Sequence, residues 1–184
     1  AIGSDGSKNL CNALALATQA KAGVYVLNND FVFDYQVRKS HTHNLNAFTS
    51  PAPMGYVLDG KYFVNYEPSA KPHLPMPQSL PKVECVYTYA GIEEFALSKG
   101  VQGVVLVGSG AGSIPSKLLG KLNELERSGI SIVICTRVAE GRVVSERFIP
   151  SFSLTPPKAR ILLALCIANG LDKEEMKRMF EVWG

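Results

Sequence analysis

The feature that most constrains the fold is an apolar run that ends in a cluster of glycines. Residues 101–129 read VQGVVLVGSGAGSIPSKLLGKLNELERSG, in which β-branched residues come first and three glycines follow at positions 108, 110 and 112. Ser113 and Pro115 mark the start of a helix after the glycines. The pattern predicts a strand, a tight loop and a helix. Open α/β folds use this arrangement to bind polar or anionic ligands at the carboxyl edge of a sheet.

The same alternation of strand and helix extends to both sides of this segment. Its short crossovers predict parallel strands with right-handed connections, so the fold class is α/β, with a small doubly wound parallel sheet. An irregular segment, residues 136–154, then leads to a helix over Lys158–Asn169 and a last helix capped by Asp172. The predicted sheet elements are strand Val83–Thr88, helix Ile92–Lys99, strand Val101–Val107, helix Pro115–Arg127 and strand Ile130–Cys135.

The first third of the chain shows helical and then extended patterns. Apolar residues recur at helical spacing up to about Lys21, and two hairpins are expected, one turning at residues 28–30 and one at Asp59-Gly60. The first hairpin would pair a strand at 24–27 with an extended run at 31–37. Residues 38–55 carry His, Ser, Thr, Asn and Pro without a single period, which predicts a loop of the kind that often carries function.

A proline-rich stretch divides the chain. Residues 67–81 contain five of the eleven prolines and lack apolar periodicity, which is typical of an extended, semi-rigid linker. We therefore expect two α/β parts, residues 1–66 and residues 82–184, joined by a linker at 67–81.

Composition and charge exclude several classes of function. The 19 basic and 16 acidic residues give a net charge of +3 and are scattered, so the basic stripe that nucleic-acid binding requires is absent. Every apolar run is shorter than the roughly 20 residues that a membrane-spanning helix needs. The four cysteines, at positions 11, 85, 135 and 166, lie in apolar segments, which favours buried free thiols over disulfides or a zinc site. Free thiols favour the cytoplasm, while a periplasmic or secreted location stays open.

The motifs taken singly leave the chemistry open. The glycine loop departs from the dinucleotide fingerprint because Ser113 stands where glycine or alanine is required, and it follows the second strand of the domain. A nucleotide-binding domain and a tight turn that needs glycine for packing are its alternatives to a polar-ligand loop. His41 and His43 lack a visible third metal ligand. Lys39 and Glu146 are either solvated surface residues or, for Lys39, an amine beside hydroxyl groups that activates a nucleophile.

Several segments together resemble the bacterial-type L-asparaginase family, nearer its type II asparaginase/glutaminase branch. The resemblance runs in register over nearly the whole chain and implies a two-domain fold in which a threonine forms an acyl-enzyme with L-asparagine or L-glutamine, without metal or cofactor. It also implies a homotetramer of tight dimers with active sites shared between subunits. The segments are Ser4-Asp5-Gly6, Asn9-Leu10, Asn12-Ala13, Val37 to Thr42, Asn46-Ala47-Phe48, Ser50-Pro51, Met54-Gly55, Gly103 to Val105 with the glycine loop, and Pro157 to Leu163.

The resemblance assigns roles to particular residues. Lys39 falls on the family's catalytic lysine, which works with an aspartate and a second threonine. Ser113 falls where the family places Asn or Ser that reaches across the dimer interface to the substrate's α-amino group, and serine is found in members with appreciable glutaminase activity. Glu146 lies near the family's cross-subunit glutamate, within a segment that is shorter than usual. Asn46 replaces the usual aspartate before Ala-Phe, which is expected to change a structural hydrogen bond.

The resemblance also points to segments that are missing from these residues. The family's Thr-Gly-Gly-Thr segment, which bears the nucleophile, and its Gly-Thr-Asp-Thr segment are both absent from the sequence. We therefore expect a complementary N-terminal segment or chain to supply them, and we expect an unpaired sheet edge and exposed apolar residues within 1–66. The alternative is a non-catalytic binding or oligomerisation module derived from the same fold.

Overall fold

The structure, a computed structural model, describes residues 4–184, which divide into two compact units, the first up to residue 70 and the second over residues 71–184. The first unit combines one helix with short antiparallel strands, and the second combines a parallel sheet with helices. None of the helices in the described part of the chain is long and apolar enough to cross a membrane.

The first unit is a four-stranded sheet that packs one face against a helix. Its strand order is β1-β2-β5-β6, and every neighbouring pair is antiparallel. Leu16 of the helix packs against Val32, Met54 and Val57 of the sheet to form the core. The elements are α1 (Gly6–Ala17), β1 (Val26–Asn28), β2 (Phe31–Phe33), β3 (Arg38–Lys39), β4 (Phe48–Thr49), β5 (Gly55–Leu58) and β6 (Lys61–Val64).

Both predicted hairpins are confirmed, although the predicted elements were too long. Asn29 (φ 53°) turns β1 into β2, and Asp59 and Gly60 (φ 48° and 73°) turn β5 into β6, as two-residue hairpin turns require. Helix α1 ends at Ala17 instead of Lys21, and β2 ends at Phe33 instead of continuing to residue 37. The loop predicted for 38–55 contains the antiparallel pair β3–β4, because two residues on each side are enough to form a bridge without an apolar period.

The second unit is built on a parallel sheet, as predicted. Its strand order is β10-β9-β8-β7, and all three neighbouring pairs are parallel. On one face Leu106 and Ile134 pack with Leu122 of a helix. On the other face Gly103 allows Leu163 of another helix to approach, since a Cβ there would lie 2.9 Å from that side chain. The elements are β7 (Val83–Tyr87), β8 (Gly103–Gly108), α2 (Leu119–Arg127), β9 (Ser131–Thr136), β10 (Ile149–Pro150), α3 (Pro156–Ala168) and α4 (Lys173–Trp183).

The helix predicted over Ile92–Lys99 is wrong, because this segment is irregular. The Ile92 N–H donates to the Tyr89 carbonyl oxygen (3.2 Å) through a turn at Gly91, which has φ 85°. The Ser98 N–H donates to the Glu84 carboxylate (3.3 Å), which replaces a helical hydrogen bond. An eight-residue segment is too short to hold a helix by its own propensity, so these contacts with the sheet decide its path. Hydrogen bonding by Ser98 also lowers the pKa of Glu84.

The predicted starts of the last two helices agree well with the structure. Thr155 lies before α3 with proline in its first turn. Asp172 caps α4 in a capping box with Glu175, in which each side chain bonds the other residue's backbone N–H. Strand β10 was missed in the segment predicted as irregular, because two residues carry too little pattern to predict a strand.

The cysteines are free, but they are not all buried as predicted. Cys135 and Cys166 are buried, whereas Cys85 is half-buried and Cys11 is exposed. Cys11 lies on α1 among the apolar residues Leu10 and Leu14, both of which are 63% exposed. The apolar pattern of α1 therefore marks a face that the described residues leave uncovered.

Candidate functional site

The glycine loop leaves β8 at the carboxyl edge of the parallel sheet. Its backbone is closed by Ser109 and Ser113, whose N–H groups each donate to the other's carbonyl oxygen (3.3 and 2.8 Å). Gly110 and Gly112 have φ of 51° and 94°, the left-handed region that favours glycine. A Cβ at Gly108 would lie 2.4 Å from the Ser113 carbonyl oxygen, so glycine is required there for the loop to fold back on its strand.

The loop displays Ser113 instead of using it to start a helix. The sequence predicted the helix from Pro115, but a 3-10 turn (Ser116–Leu118) comes first and α2 begins at Leu119. The side chain of Ser113 is exposed, and its hydroxyl has no hydrogen-bond partner among residues 4–184. An exposed, uncommitted hydroxyl on a closed backbone loop is suited to bind a polar group of a ligand.

Thr136 and Arg137, which the sequence analysis did not single out, hold this loop. The Thr136 hydroxyl donates to the Gly110 carbonyl oxygen at 2.5 Å. Arg137 donates to the Gly108 carbonyl oxygen from its backbone N–H (3.3 Å) and from Nε (3.4 Å), and its Nη2 donates to the Thr88 carbonyl oxygen. The only signal in the sequence is their place directly after the predicted strand Ile130–Cys135, at the edge of the sheet where parallel folds place functional side chains.

Glu146 lies in the segment that connects β9 to β10. Val143 pairs with Phe152 in an isolated bridge, and the Ser145 hydroxyl accepts a hydrogen bond from the Phe148 N–H (3.2 Å). Val143 also packs against Gly112, where a Cβ would lie 2.9 Å from its side chain. The segment that carries Glu146 therefore contacts the glycine loop, and the Glu146 side chain itself is exposed.

Lys39 lies in the first unit, on β3. It pairs with Phe48 of β4, and the hairpin between them is closed by the Ser40 N–H, which donates to the Ala47 carbonyl oxygen (2.7 Å). The Lys39 side chain is exposed, and the described residues provide it with no hydrogen-bond or ion-pair partner. Its chemistry as an activating amine depends on groups that come close to it.

The hairpin of Lys39 is anchored by Asn29 at the turn between β1 and β2. The Asn29 amide donates to the Leu45 carbonyl oxygen (2.9 Å) and to the Asn46 side chain (2.8 Å). The backbone N–H of Asn29 donates to Asn9 of α1 at 2.7 Å. Asn46, which departs from the family's aspartate, thus accepts a hydrogen bond that an aspartate would also accept.

The predicted site residues are therefore divided between the two units: Lys39 in the first, and Ser113 and Glu146 in the second. Within residues 4–184, His, Cys, Asp and Glu side chains form no group of three or more that could hold a metal ion. What the described chain offers is an exposed amine on one unit and an exposed hydroxyl on a rigid loop of the other.

Two family models match the two parts of the chain. The model described as "Asparaginase, N-terminal" matches residues 1–70, and the model described as "Glutaminase/Asparaginase C-terminal domain" matches residues 82–180.

Comparison with known proteins gives the same family. The chain is 30% identical to a glutaminase-asparaginase of Pseudomonas fluorescens biotype A, over 98% of this chain and 56% of that protein. It is 30% identical to L-asparaginase 2 of Escherichia coli (strain K12), over 97% of this chain and 58% of that protein.

A solved structure shares the fold. The probable cytoplasmic L-asparaginase from Campylobacter jejuni matches with a TM-score of 0.86 and 34% identity, over 98% of this chain and 67% of that chain. The chain thus spans a little over half the length of these curated relatives, and it matches the fold of the Campylobacter jejuni protein over nearly all of its own length. It belongs to the glutaminase/asparaginase family.

Proposed function

We propose that this chain is part of an L-asparaginase-type amidohydrolase that converts L-asparagine to aspartate and ammonia, with L-glutamine as a second substrate. The observation that carries the proposal is the match of both asparaginase family models, one to each part of the chain. The relatives named above are asparaginases and glutaminase-asparaginases, and the residues that the resemblance assigns to substrate and catalysis are exposed and available.

The proposed reaction has two steps. A threonine hydroxyl attacks the side-chain amide carbon of the substrate, its proton passes to the leaving nitrogen, and ammonia departs from an acyl-enzyme. Water then attacks the ester, which releases aspartate and restores the hydroxyl. The two threonine segments that the family uses are absent from these 184 residues, so the nucleophile comes from a further N-terminal segment, in the same or a separate polypeptide.

Lys39 is the catalytic lysine in this proposal. Its ammonium stands at the end of a hairpin that Asn29 anchors, and it is exposed for groups of the N-terminal segment to reach. With an aspartate and a threonine of that segment it would orient and deprotonate the attacking groups. An amine acts as a base more readily once it is desolvated, which the added segment would bring about.

A groove beside an edge strand of the first unit supports the binding of such a segment. Leu10 and Ala13 of α1 line a groove of about 650 Å³ together with Tyr25 and Leu27, next to β1. Strand β1 is an edge strand of the sheet, and Val24 just before it is 76% exposed. A groove lined largely by apolar residues, beside a sheet edge that no described strand pairs, is suited to receive a further strand.

Ser113 and Glu146 bind the α-amino group of a substrate held by a neighbouring subunit in this proposal. A hydroxyl and a carboxylate provide acceptors for an ammonium group. Their place on connected segments of the second unit supports a joint role. The site is then incomplete without a partner subunit, and the assembly would be a homotetramer of tight dimers.

The proposal is tested by combining the chain with an N-terminal asparaginase segment that carries both threonine motifs, referred to as the N-terminal half. Ammonia release from L-asparagine is then followed. We expect activity in the mixture, a loss of at least about 100-fold with Lys39→Met, and activity within about twofold of the parent with Lys61→Met, a control at an exposed lysine of β6. Equal activity in Lys39→Met and the parent would contradict the role of Lys39. A folded, oligomeric assembly that releases no ammonia would favour the non-catalytic module.

A further inference from the structure

We propose that Thr136 is a positioning residue that sets the place of Ser113 by fixing the glycine loop to the end of strand β9. The proposal rests on the proposed function for the role of Ser113, and on the described contacts for the tether itself.

Thr136 is the last residue of β9, and it is 7% exposed. Its hydroxyl donates to the Gly110 carbonyl oxygen at 2.5 Å and accepts from the Val138 N–H at 3.1 Å. One donor and one acceptor function are thus both used, which fixes the orientation of the hydroxyl. The bond links the end of one strand to the loop that follows its neighbour in the sheet.

Within residues 4–184, no other side chain forms a hydrogen bond with Gly110. The backbone bonds that close the loop join Ser109 to Gly112 and to Ser113, and they leave the Gly110 carbonyl oxygen to Thr136. Gly110 adopts a left-handed conformation with open space around it. A glycine in open space has many alternative conformations, so the tether from Thr136 selects one of them.

Other contacts hold the two ends of the loop, Gly108 at its base and Gly112 on its far side. Arg137 binds the carbonyl oxygens of Gly108 and Thr88, which ties the ends of three adjacent strands together. Val143 and Ile134 pack on Gly112, which follows Gly110 in the loop. Because base and far side are held elsewhere, loss of the Thr136 hydroxyl is expected to free the tip of the loop, three residues before Ser113, without unfolding the sheet.

The expected kinetic effect follows from the proposed contact of Ser113 with the α-amino group of the substrate. A contact to the α-amino group, remote from the bond that breaks, stabilises bound substrate and transition state alike. Its loss therefore raises KM while kcat stays nearly constant. A displaced loop would reproduce this pattern, whereas general destabilisation would lower the amount of active enzyme and so lower the apparent kcat.

The experiment compares Thr136→Val with Thr136→Ser in the chain assembled with its N-terminal half. Valine has nearly the shape of threonine without the hydroxyl, and serine restores the hydroxyl. We expect Thr136→Val to raise KM for L-asparagine about fivefold, the effect of one hydrogen bond, with kcat within about twofold, and Thr136→Ser to stay within about twofold of the parent. Thr88→Val is the matched control, since its buried hydroxyl bonds Val107 within the sheet and not the loop.

A double-mutant cycle with Ser113→Ala decides whether Thr136 acts through Ser113. In the Ser113→Ala background, Thr136→Val should raise KM by less than about twofold. An undiminished fivefold rise there, or an unchanged KM in Thr136→Val alone, would overturn the proposal.

Amide hydrogen exchange of residues 109–113 provides a readout that needs no activity. It should accelerate in Thr136→Val, and it should match the parent in Thr136→Ser and Thr88→Val. Unchanged exchange in Thr136→Val would overturn the tether. If the parent assembly hydrolyses neither L-asparagine nor L-glutamine, the proposed function fails, and the exchange measurement still decides whether Thr136 holds the loop.

Discussion

Three cysteine thiols of the second unit, two of them buried and one half-buried, affect how the stability of the protein depends on pH. Burial raises the pKa of Cys166 from 9.0 to about 12, and it raises the pKa values of Cys85 and Cys135 in the same direction. Each of these thiols stays protonated in the folded protein at a pH where the unfolded chain ionises. Their contribution to stability is complete below pH 9 and is lost as the pH rises toward the folded pKa.

Cys166→Ala is therefore expected to change the pH dependence of stability. The free energy of unfolding of the parent should fall between pH 8 and pH 10.5, and it should fall less in Cys166→Ala, because one ionising thiol has been removed from the unfolded state. At pH 7 the variant should be less stable by about 1 kcal/mol, since a small buried group is lost. Urea unfolding of the parent and the variant at pH 7, 8 and 10.5 measures both effects.

A pH dependence in Cys166→Ala equal to that of the parent would show that burial does not hold this thiol protonated.

Two glycines of the second unit, Gly108 and Gly120, differ in the space around them. Gly108 ends β8 where the loop folds back on it, and a Cβ would lie 2.7 Å from the Gly112 carbonyl carbon. Gly120 lies in α2 with open space around it. The same substitution is thus expected to have opposite signs at a strand end and in a helix.

Gly108→Ala should lower the free energy of unfolding by roughly 2 kcal/mol or more, because backbone atoms of the loop must move. Gly120→Ala should raise it by about 0.5–1 kcal/mol, because alanine favours the helix. Thermal or urea unfolding of both variants under one set of conditions checks the pair. A stable Gly108→Ala protein with unchanged exchange at residues 109–113 would refute the close approach.

At the scale of the elements, strong local patterns predicted well and weak ones did not. The proline start of α3, the cap of α4 at Asp172 and the turn at Asp59-Gly60 each depend on a few adjacent residues, and each was predicted from them. The segment 92–99 carries helical spacing, but its turn at Gly91 and its hydrogen bond to Glu84 override it. Strand β10 exists only because β9 lies beside it.

The chain as a whole divides into two units with cores of unequal size. The first unit has a small core around Leu16, Val32, Met54 and Val57, whereas the second buries side chains on both faces of its sheet. We propose that residues 1–66 belong to the N-terminal asparaginase domain, that residues 67–81 are the linker, and that residues 82–184 form the C-terminal domain. Within 67–81 the backbone forms no helix or strand.

Limited proteolysis is expected to cut within residues 67–81 and to leave a resistant fragment that starts near residue 82. The fragment should unfold cooperatively, because its parallel sheet is covered by helices on both faces. Without the asparaginase N-terminal half, the N-terminal fragment should be degraded quickly, because its groove at α1 and β1 is uncovered. Addition of that half should slow the degradation. Mass spectrometry of the fragments measures both. A first stable cut inside 83–136 would refute the division.

The sequence by itself determined the fold class, the hairpin turns, the helix caps and the family, because these depend on local spacing and on motifs in register. It also singled out Lys39, Ser113 and Glu146, whose proposed roles remain predictions. Only the tertiary structure decided that Gly108 needs the space a side chain would take, that Cys11 is exposed, and that Thr136 reaches Gly110. The physical reason is that each of these facts depends on how the chain folds back on itself. The glycine loop returns to its own strand at Gly108, the sheet of the first unit covers Leu16 of α1 and leaves Cys11 exposed, and the parallel pairing of β8 with β9 brings Thr136 beside Gly110.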